Sequence, residues 1–233
     1  MKKFIIIFLV VIFLIILLLN YFNIPKRKTY DSLYFNIDVV KSDVDYDNDG
    51  IDDYTDIVST AIDEGKKRPT YKSKYYDGGY PNDSEGVCTD LIWRSLKGAG
   101  YDFKSMIDDD IKNNLSSYTK IKKPDPNIDF RRVYNIHVFL KNNYLSLTND
   151  VSEIAEFQPG DIVIFNNDTH IGIVSNKRNK KGYPYVIHHV NSIRNKLNNL
   201  EEDVLLKYKV NGHYRFQKKT SWTSFFLLMN YKS

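Results

Sequence analysis

Residues 159–175 read PGDIVIFNNDTHIGIVS, and the hydrophobic pattern of the chain changes at this stretch. It contains two short apolar runs, Asp161–Phe165 and His170–Ser175, which are rich in β-branched residues and separated by the turn residues NNDT. This pattern is typical of two strands joined by a tight turn. The hydrophobic period also changes here, because the segments upstream repeat at helical spacing and those downstream resemble strands. The stretch therefore marks the transition from a helical half of the chain to a sheet.

Hydrophobic spacing predicts four helices before this hairpin and further strands after it. Helices that precede an antiparallel sheet are typical of the α+β class, so we expect N-terminal helices packed on an antiparallel sheet. The helices are predicted over residues 57–66, 84–97, 103–114 and 133–143, and the strands over residues 161–165, 170–175, 185–190 and 210–216.

The composition fits one globular domain and argues against a nucleic-acid-binding protein. The chain has 233 residues, of which 42% are hydrophobic and 27% are charged, so the part after the N-terminal segment is long enough for one well-formed core. The net charge is +4, with basic and acidic residues interleaved. The sequence lacks the basic stripe with aromatic residues that a nucleic-acid interface needs. A mild positive charge suits an anionic polymer such as a cell wall.

The N-terminus has the character of a membrane anchor. Phe4 to Leu19 carry no polar side chain, and residues 4–22 approach the length of about 20 residues that spans a bilayer. No small-residue cleavage site follows, so we expect an uncleaved, single-pass signal-anchor over residues 4–22 with a cytoplasmic tip at residues 1–3. Positive charges at its two ends nearly balance and leave the orientation open.

The rest of the chain divides into four expected segments. Pro25 and a basic run begin a linker, and an acidic segment follows it. The main domain comes next, and a short extension ends the chain. The boundaries are expected at residues 23–42 for the linker, 43–56 for the acidic segment, 57–218 for the domain and 219–233 for the extension.

The acidic segment contains the spacing of a calcium loop. Residues 45–56 read DYDNDGIDDYTD, which places carboxylates at positions 1, 3, 5, 9 and 12 and glycine at position 6. Alternate side chains then converge on one centre, and the backbone carbonyl of position 7 adds a ligand. The loop resembles the calcium repeats of dockerins; the alternative is a solvated acidic turn. The predicted ligands of a structural Ca²⁺ are Asp45, Asp47, Asp49, Ile51, Asp53 and Asp56.

The last residue of this loop bears on affinity and location. Aspartate at position 12 reaches less far than glutamate, so weak binding is expected, and weak sites suit extracellular calcium. This favours a domain on the extracytoplasmic side of the membrane. The ion is expected to tie the linker to the first helix of the domain.

Cys88, in the stretch GVCTD, is the only cysteine of the chain. A single cysteine cannot form an intramolecular disulfide, so it is either an inert buried residue or a nucleophile. The spacing predicts that it lies in the first turns of a helix, where the positive end of the helix dipole favours a thiolate. A cysteine nucleophile also needs a base and a group that orients the base.

Two of the five histidines are positioned to assist Cys88. His170 begins one predicted strand and His188 ends the next, so the two rings can stand side by side across the hairpin. Gly172 shares the face of His170 and leaves room beside it. His137 lies among apolar helical residues and is expected to be structural.

The order of these motifs resembles a known group of enzymes. A helix-borne cysteine, a Pro-Gly-Asp turn before a strand, a histidine at the start of the next strand and another on the strand after it look like the papain-like cell-wall peptidases of the NlpC type. More closely, residues 57–216 resemble the bacterial family catalogued as domain of unknown function 1287. The matching stretches are YYDGGYP, GVCTDLIWR, PDPNIDFRRV, PGDIVIF with HIGIVS, VIHH and GHYRF.

The resemblance implies a papain-like NlpC-type fold with Cys88 as nucleophile, His170 as base and His188 as the residue that orients the base. Relatives commonly read V-I-H-N where this chain has His188-His189, so His189 is the alternative third residue, although the motif position favours His188. We therefore expect a membrane-anchored, extracytoplasmic cysteine hydrolase that cleaves amide or peptide bonds in peptidoglycan, with no cofactor for catalysis. The alternatives are a non-catalytic, calcium-stabilised wall-binding or scaffold domain, and an acyltransferase on the same fold.

Other residues near these motifs have two interpretations each. Asp90 is expected to interact with the helix dipole or to make a structural contact. The pair Arg131-Arg132, with Asp129, either binds a substrate carboxylate or forms a structural ion pair. Three tyrosines either line a groove near Cys88 or pack against the domain: Tyr75, Tyr76 and Tyr80.

Overall fold

The computed structural model describes residues 2–21 and 28–219, and it confirms the α+β class. The chain forms helices first and most of its sheet afterwards. The helices are α1 (Lys2–Tyr21), α2 (Asp53–Lys67), α3 (Cys88–Gly98), α4 (Phe103–Asn114), α5 (Val133–Asn143) and the short α6 (Ile193–Leu197). Single 3₁₀ turns lie at Leu33–Phe35, Leu115–Ser117 and Asp129–Arg131.

The main sheet has six strands in the order β3-β8-β4-β5-β6-β7, and every neighbouring pair is antiparallel. A separate two-stranded parallel sheet pairs β1 with β2. The strands are β1 (Thr70–Tyr71), β2 (Glu85–Gly86), β3 (Tyr144–Ser146), β4 (Ile162–Phe165), β5 (His170–Arg178), β6 (Pro184–Ile187), β7 (Glu201–Glu202) and β8 (Val210–Lys218).

Strand β4 lies between β5 and β8, and all four of its side chains are fully buried. Ile162 and Ile164 point to the core formed with the helices, whereas Val163 and Phe165 point to a second core on the other face. Because successive side chains of a strand alternate between faces, one continuous apolar run supplies both cores. The expected helices cover one face of the sheet; the second core is formed with residues from the loops, including Phe157, Val204 and Leu205.

Several element boundaries differ from the sequence predictions, and three of these differences involve residues of the acidic loop or the predicted site. Helix α3 begins at Cys88 instead of residue 84, because Glu85 and Gly86 pair with Thr70 and Tyr71 as a strand. Helix α2 begins at Asp53 instead of residue 57, inside the acidic loop, where the Asp52 side chain caps its first turn by accepting from Thr55. The predicted strand over residues 185–190 ends at Ile187, before the two histidines.

Part of the predicted linker is packed against the domain. Tyr30 exchanges backbone hydrogen bonds with Arg178, and Ser32 and Ile37 are buried. Gln158 binds the backbone near the end of this segment, accepting from the Val40 amide and donating to the Asp38 carbonyl. The segment 30–40 thus covers part of the sheet. Residues 22–27, and residues 220–233 of the expected extension, lie outside the described residues.

Helix α1 has an apolar surface on all sides, and none of its residues is buried. Its 20 residues are long and apolar enough to cross a membrane. A membrane anchor and a signal sequence both have these properties, and the helix is compatible with either.

Arg178 offers a test of how the segment 30–40 is held to the hairpin formed by β5 and β6. Its buried guanidinium donates to the Ser32 hydroxyl and to the carbonyls of Ile154, Gly182 and Phe157 at 2.8–3.0 Å. The change Arg178→Met keeps the apolar stem but leaves these acceptors without a donor. Since an unsatisfied buried polar group costs about 1–3 kcal/mol, we expect the free energy of unfolding to fall by about 3 kcal/mol.

The measurement is thermal or urea unfolding of the full chain in detergent micelles, followed by near-UV circular dichroism. The matched control is Lys180→Met, at an exposed cation of the same hairpin. Equal stability of the two variants would contradict the role assigned to Arg178.

Candidate active site around Cys88

Cys88 is the first residue of α3, and its position is set by Asp90, two residues later. Val87 is extended, with φ −131°, and its amide donates to the Asp90 carboxylate at 2.8 Å. This contact ends the strand segment and starts the helix, because an acidic side chain in the first turn satisfies an amide that has no partner within the helix. The Cys88 side chain therefore lies at the helix start, facing strand β5.

Asp90 is fully buried and has four donors. Its carboxylate accepts from Arg131 Nε and Nη2 at 2.7 and 2.9 Å, from the Trp93 indole at 2.9 Å and from the Val87 amide. Arg131 donates in addition to the Lys74 carbonyl. The structural interpretation of Asp90 is confirmed. Arg131 forms a structural ion pair, but its partner is Asp90 and not the expected Asp129.

Arg132 differs from its neighbour. Its side chain is 60% exposed and lies 4.0 Å from Asp129, which gives only a weak surface pair. The three tyrosines make packing contacts: Tyr80 lies edge-on to Trp93, Tyr76 lies under the Arg131 guanidinium, and Tyr75 bonds to Asp125.

The rings of His170 and His188 are in direct contact, as the strand ends predicted. His170 Nε2 and His188 Nδ1 are 2.8 Å apart. Gly172 allows this approach, because a Cβ at Gly172 would lie 2.8 Å from the Ile187 carbonyl oxygen and 3.0 Å from His188 Cβ. The room that Gly172 provides is thus filled by His188 and the end of β6.

Glu202 continues this line of side chains and was missed by the sequence analysis. One oxygen of its carboxylate is 3.5 Å from His188 Nε2 and accepts from Asn195 Nδ2 at 3.1 Å. Asn195 also donates to the His188 carbonyl, so it fixes both residues relative to each other. Burial acts to raise the pKa of Glu202, but His188, Asn195 and Arg194 hold it below its usual value. In the sequence Glu202 lies in the acidic run EED, which has the pattern of a solvated turn; only the pairing of β6 with β7 reveals it.

The other histidines lie elsewhere. The His189 ring packs edge-on against Tyr71, with centroids 5.2 Å apart. The ring that contacts His170 is that of His188 and not that of the alternative, His189. His137 binds Asp168 at 2.6 Å, and His213 binds Asp161 at 3.0 Å. These contacts are structural, as was expected for His137.

The thiol of Cys88 is buried and protonated. Its exposed fraction is 7%, and burial raises its pKa to about 11, although the backbone amide of Ile171 acts in the opposite direction. The expectation of a thiolate at the helix start is therefore not met. Among the residues that the structure describes, the thiol makes no hydrogen bond to a histidine ring; its link to His170 runs through the adjacent amide of Ile171.

His170 is also neutral. Burial, followed by the charges of His188 and His189, lowers its pKa to about 3. The pair at rest therefore consists of a neutral thiol and a neutral imidazole, and proton transfer between them requires a substrate or a rearrangement. Apo enzymes often show long contacts between nucleophile and base that tighten when substrate binds.

The acidic loop brings together only part of the predicted calcium ligands. Carboxylate oxygens of Asp45, Asp47 and Asp49 lie within 4.8 Å of one another. Asp53 is engaged elsewhere, because it accepts from the Tyr101 hydroxyl at 2.5 Å and from the Tyr46 amide at 2.9 Å. The remaining predicted ligands are the exposed Ile51 and the buried Asp56.

Most of the folded chain matches one known family. The family described as "Domain of unknown function (DUF1287)" matches residues 58–216. The chain belongs to the DUF1287 family. The uncharacterized protein YijF of Escherichia coli (strain K12) is 33% identical over 154 residues, which are 64% of this chain and 72% of YijF. No solved structure matches the chain. The DUF1287 region contains Cys88, His170, His188 and Glu202 and begins after the acidic loop.

Alkylation measures the protonation state of Cys88 directly. With a thiol pKa of about 11, only about one molecule in ten thousand is a thiolate at pH 7. We expect the rate of reaction with iodoacetamide to rise about tenfold for each pH unit between 7 and 10, because the thiolate is the reactive form. Since the chain has one cysteine, intact-mass spectrometry of the full chain reports this site alone. A rate that is constant above pH 6 would show a stable thiolate and contradict the assignment.

Proposed function

We propose that this DUF1287 protein is a cysteine hydrolase that cleaves amide bonds, with Cys88 as nucleophile, His170 as general base, and His188 and Glu202 as positioning residues. The observation that carries the proposal is the line of side chains from Glu202 through His188 to His170, in which His188 Nδ1 lies 2.8 Å from His170 Nε2 and Glu202 lies 3.5 Å from His188 Nε2. His170, at the end of this line, is the neighbour of Ile171 in strand β5. The backbone amide of Ile171 contacts the Cys88 thiol. A cysteine at a helix start beside a histidine that is oriented by a second polar group is the arrangement that thiol hydrolases use.

The contacts along this line favour one set of tautomers. Glu202 faces His188 Nε2, so the proton of His188 belongs on Nε2 and leaves its Nδ1 as an acceptor. His170 then donates from Nε2 to His188 Nδ1, and its own Nδ1 is left without a proton. That nitrogen is the one able to take the proton of the thiol. The negative charge of Glu202 stabilises the positive charge that develops on the two imidazoles.

The proposed reaction has two steps. Cys88 Sγ attacks the carbonyl carbon of the amide while its proton passes to His170 Nδ1; the same proton then goes to the leaving amine as the C–N bond breaks. A water molecule then gives a proton to His170 Nδ1 as its oxygen attacks the thioester carbon. The C–S bond breaks, the carboxylic acid is released, and His170 returns the proton to Cys88 Sγ. The backbone amide of Cys88, at the helix start, is positioned to stabilise the oxyanion.

The order of the site residues supports the proposed fold family, and the net charge and helix α1 support the proposed substrate. The order of a helix-start cysteine, a histidine at the start of a strand and a second histidine after the next strand supports a papain-like fold of the NlpC type. The positive net charge and the apolar helix α1 support an anchored protein that acts on an anionic wall polymer. We infer peptide or amide bonds of peptidoglycan as the substrate, with the domain on the extracytoplasmic side.

The decisive experiment is digestion of purified peptidoglycan by the full chain in detergent micelles, with the products identified by mass spectrometry. The wild type is expected to release fragments with one new amine and one new carboxylate, and Cys88→Ala is expected to lose at least about 10³-fold in rate, because no other group replaces the nucleophile. Cys88→Ala removes a buried thiol, so its melting temperature is measured alongside.

Other outcomes separate the alternatives. Binding of peptidoglycan by wild type and Cys88→Ala alike, with no new amine, would indicate a non-catalytic wall-binding domain and overturn the proposal. New amide products on addition of a free amine, with little hydrolysis, would indicate acyl transfer on the same nucleophile.

The role of Glu202 has its own test. Glu202→Gln keeps the shape of the side chain and removes its charge, so the protonated form of His170 loses stabilisation. Removal of an orienting carboxylate next to a catalytic histidine costs about 10⁴ in kcat; Glu202 is one residue further away, and we expect a loss of about 10–100-fold. The loss is expected in kcat with KM unchanged.

The matched control is Glu201→Gln, one residue earlier in β7. Glu201 accepts from Lys177 at 2.6 Å and from Ser175, which are away from the two imidazoles. Its substitution is expected to leave kcat within about twofold of wild type. Equal kcat for the two variants would show that Glu202 does not act on His170.

A further inference from the structure

The acidic loop at residues 45–56 concentrates negative charge that has no function in the proposed active site. Asp45, Asp47 and Asp49 bring carboxylate oxygens within 4.8 Å of one another. The backbone turns sharply between them, with φ of +60° at Asn48 and +94° at Gly50. The Asp45 carboxylate accepts from the amides of Asp49 and Gly50, so the turn folds back on the first carboxylate of the loop.

A fourth carboxylate faces this cluster from helix α2. Asp56 is only 6% exposed, and its Oδ2 has no hydrogen-bond partner among the described residues. Burial raises the pKa of Asp56 to about 6, and the next contributions come from the negative charges of Asp49, Asp47 and Asp45. A buried carboxylate oxygen that has no donor and is close to three other carboxylates is unfavourable in itself. A bound cation would supply the missing partner and neutralise the repulsion.

We propose that residues 45–56 form a Ca²⁺ site in which the ion is bound by the carboxylates of Asp45, Asp47, Asp49 and Asp56 and by the backbone carbonyl of Ile51. All of these ligands are oxygens, and their number fits the six to eight that calcium takes once water is added. Mg²⁺ is less suitable, because it demands octahedral geometry and retains most of its water. Asp53, at position 9, is not a direct ligand, since both of its oxygens are already engaged with Tyr101 and the Tyr46 amide.

The surroundings of the loop show what the ion would stabilise. The Tyr46 ring stacks on Tyr101 with centroids 4.2 Å apart, and Asp53 binds the Tyr101 hydroxyl. A Cβ at Gly100 would lie 2.8 Å from Asp47 Cβ, so the loop is seated directly on the turn that follows α3. Because Asp56 belongs to α2, the ion would hold the loop to α2 while the aromatic contacts hold it to the end of α3. The site is therefore structural and separate from the chemistry of Cys88.

The first test is binding of Tb³⁺, which occupies calcium sites and is excited by nearby tyrosines. The full chain in detergent micelles, freed of metal by chelation, is expected to give tyrosine-sensitised Tb³⁺ emission, because Tyr46 lies in the loop and Tyr101 stacks on it. Ca²⁺ is expected to displace the Tb³⁺, and Mg²⁺ at the same concentration is not. Absence of emission, or equal displacement by Mg²⁺, would overturn the calcium assignment.

The second test is stability, which does not depend on enzymatic activity. At a Ca²⁺ concentration 100 times the Kd, we expect a rise in melting temperature of about 5–10 °C. Asp47→Asn combined with Asp49→Asn is expected to abolish this rise. Asp56→Asn is expected to weaken Tb³⁺ binding by at least about tenfold while leaving the metal-free protein at least as stable as wild type, since it removes a repelling charge.

The matched control is Asp43→Asn, which removes one exposed charge two residues before the loop. It is expected to bind Tb³⁺ like wild type and to keep the full Ca²⁺-dependent rise. If Asp43→Asn and Asp56→Asn weaken binding equally, the response reflects general charge screening, and the proposal is wrong.

Discussion

The buried ion pair between Asp90 and Arg131 is the interaction on which the candidate site depends. Its carboxylate holds the Arg131 guanidinium, the Val87 amide and the Trp93 indole at once. An intact pair of this kind adds little to stability, whereas removal of one partner costs about 3–5 kcal/mol because a buried charge is left alone. The pair instead fixes a position. Asp90 sets the start of α3 at Cys88, and Arg131 attaches this start to the 3₁₀ turn before α5. The position of the Cys88 thiol therefore depends on the pair between Asp90 and Arg131.

Burial outweighs the helix dipole at that position. A dipole contributes about 0.3–1 kcal/mol to a charged group near the helix start. The rise of the Cys88 pKa from 9 to about 11 corresponds to about 3 kcal/mol in the other direction. The same environment lowers the pKa of His170 to about 3, so both partners are neutral at rest. In the proposed mechanism Glu202 matters for this reason: a positive charge on His170 would have to be stabilised by His188 and Glu202 behind it, since the surrounding core disfavours that charge.

Much of the fold was readable from the sequence because it depends on local periodicity. The hairpin of β4 and β5, helices α4 and α5, and the contact between the rings of His170 and His188 follow from spacing and alternation. The features that were missed depend on pairing between distant segments. The start of α3 is moved to Cys88 by the pairing of β1 with β2, and Glu202 reaches His188 through the pairing of β6 with β7. The pKa of the Cys88 thiol depends on how completely the folded chain buries it, and local sequence patterns do not predict this burial.

The acidic loop shows how two carboxylates of one motif acquire different partners. Asp53 and Asp56 are three residues apart on α2, so they lie on neighbouring parts of the same helix face. The groups opposite the two side chains then decide their chemistry. The Tyr101 hydroxyl donates to Asp53, whereas Asp56 is close to the other carboxylates and, within residues 2–21 and 28–219, its Oδ2 has no donor. At the start of α2, Asp53 thus accepts a hydrogen bond from Tyr101, which follows α3, and Asp56 is left for the proposed cation. In the proposed site the calcium spacing therefore contains one carboxylate more than the ion would bind, because Asp53 attaches the loop to Tyr101.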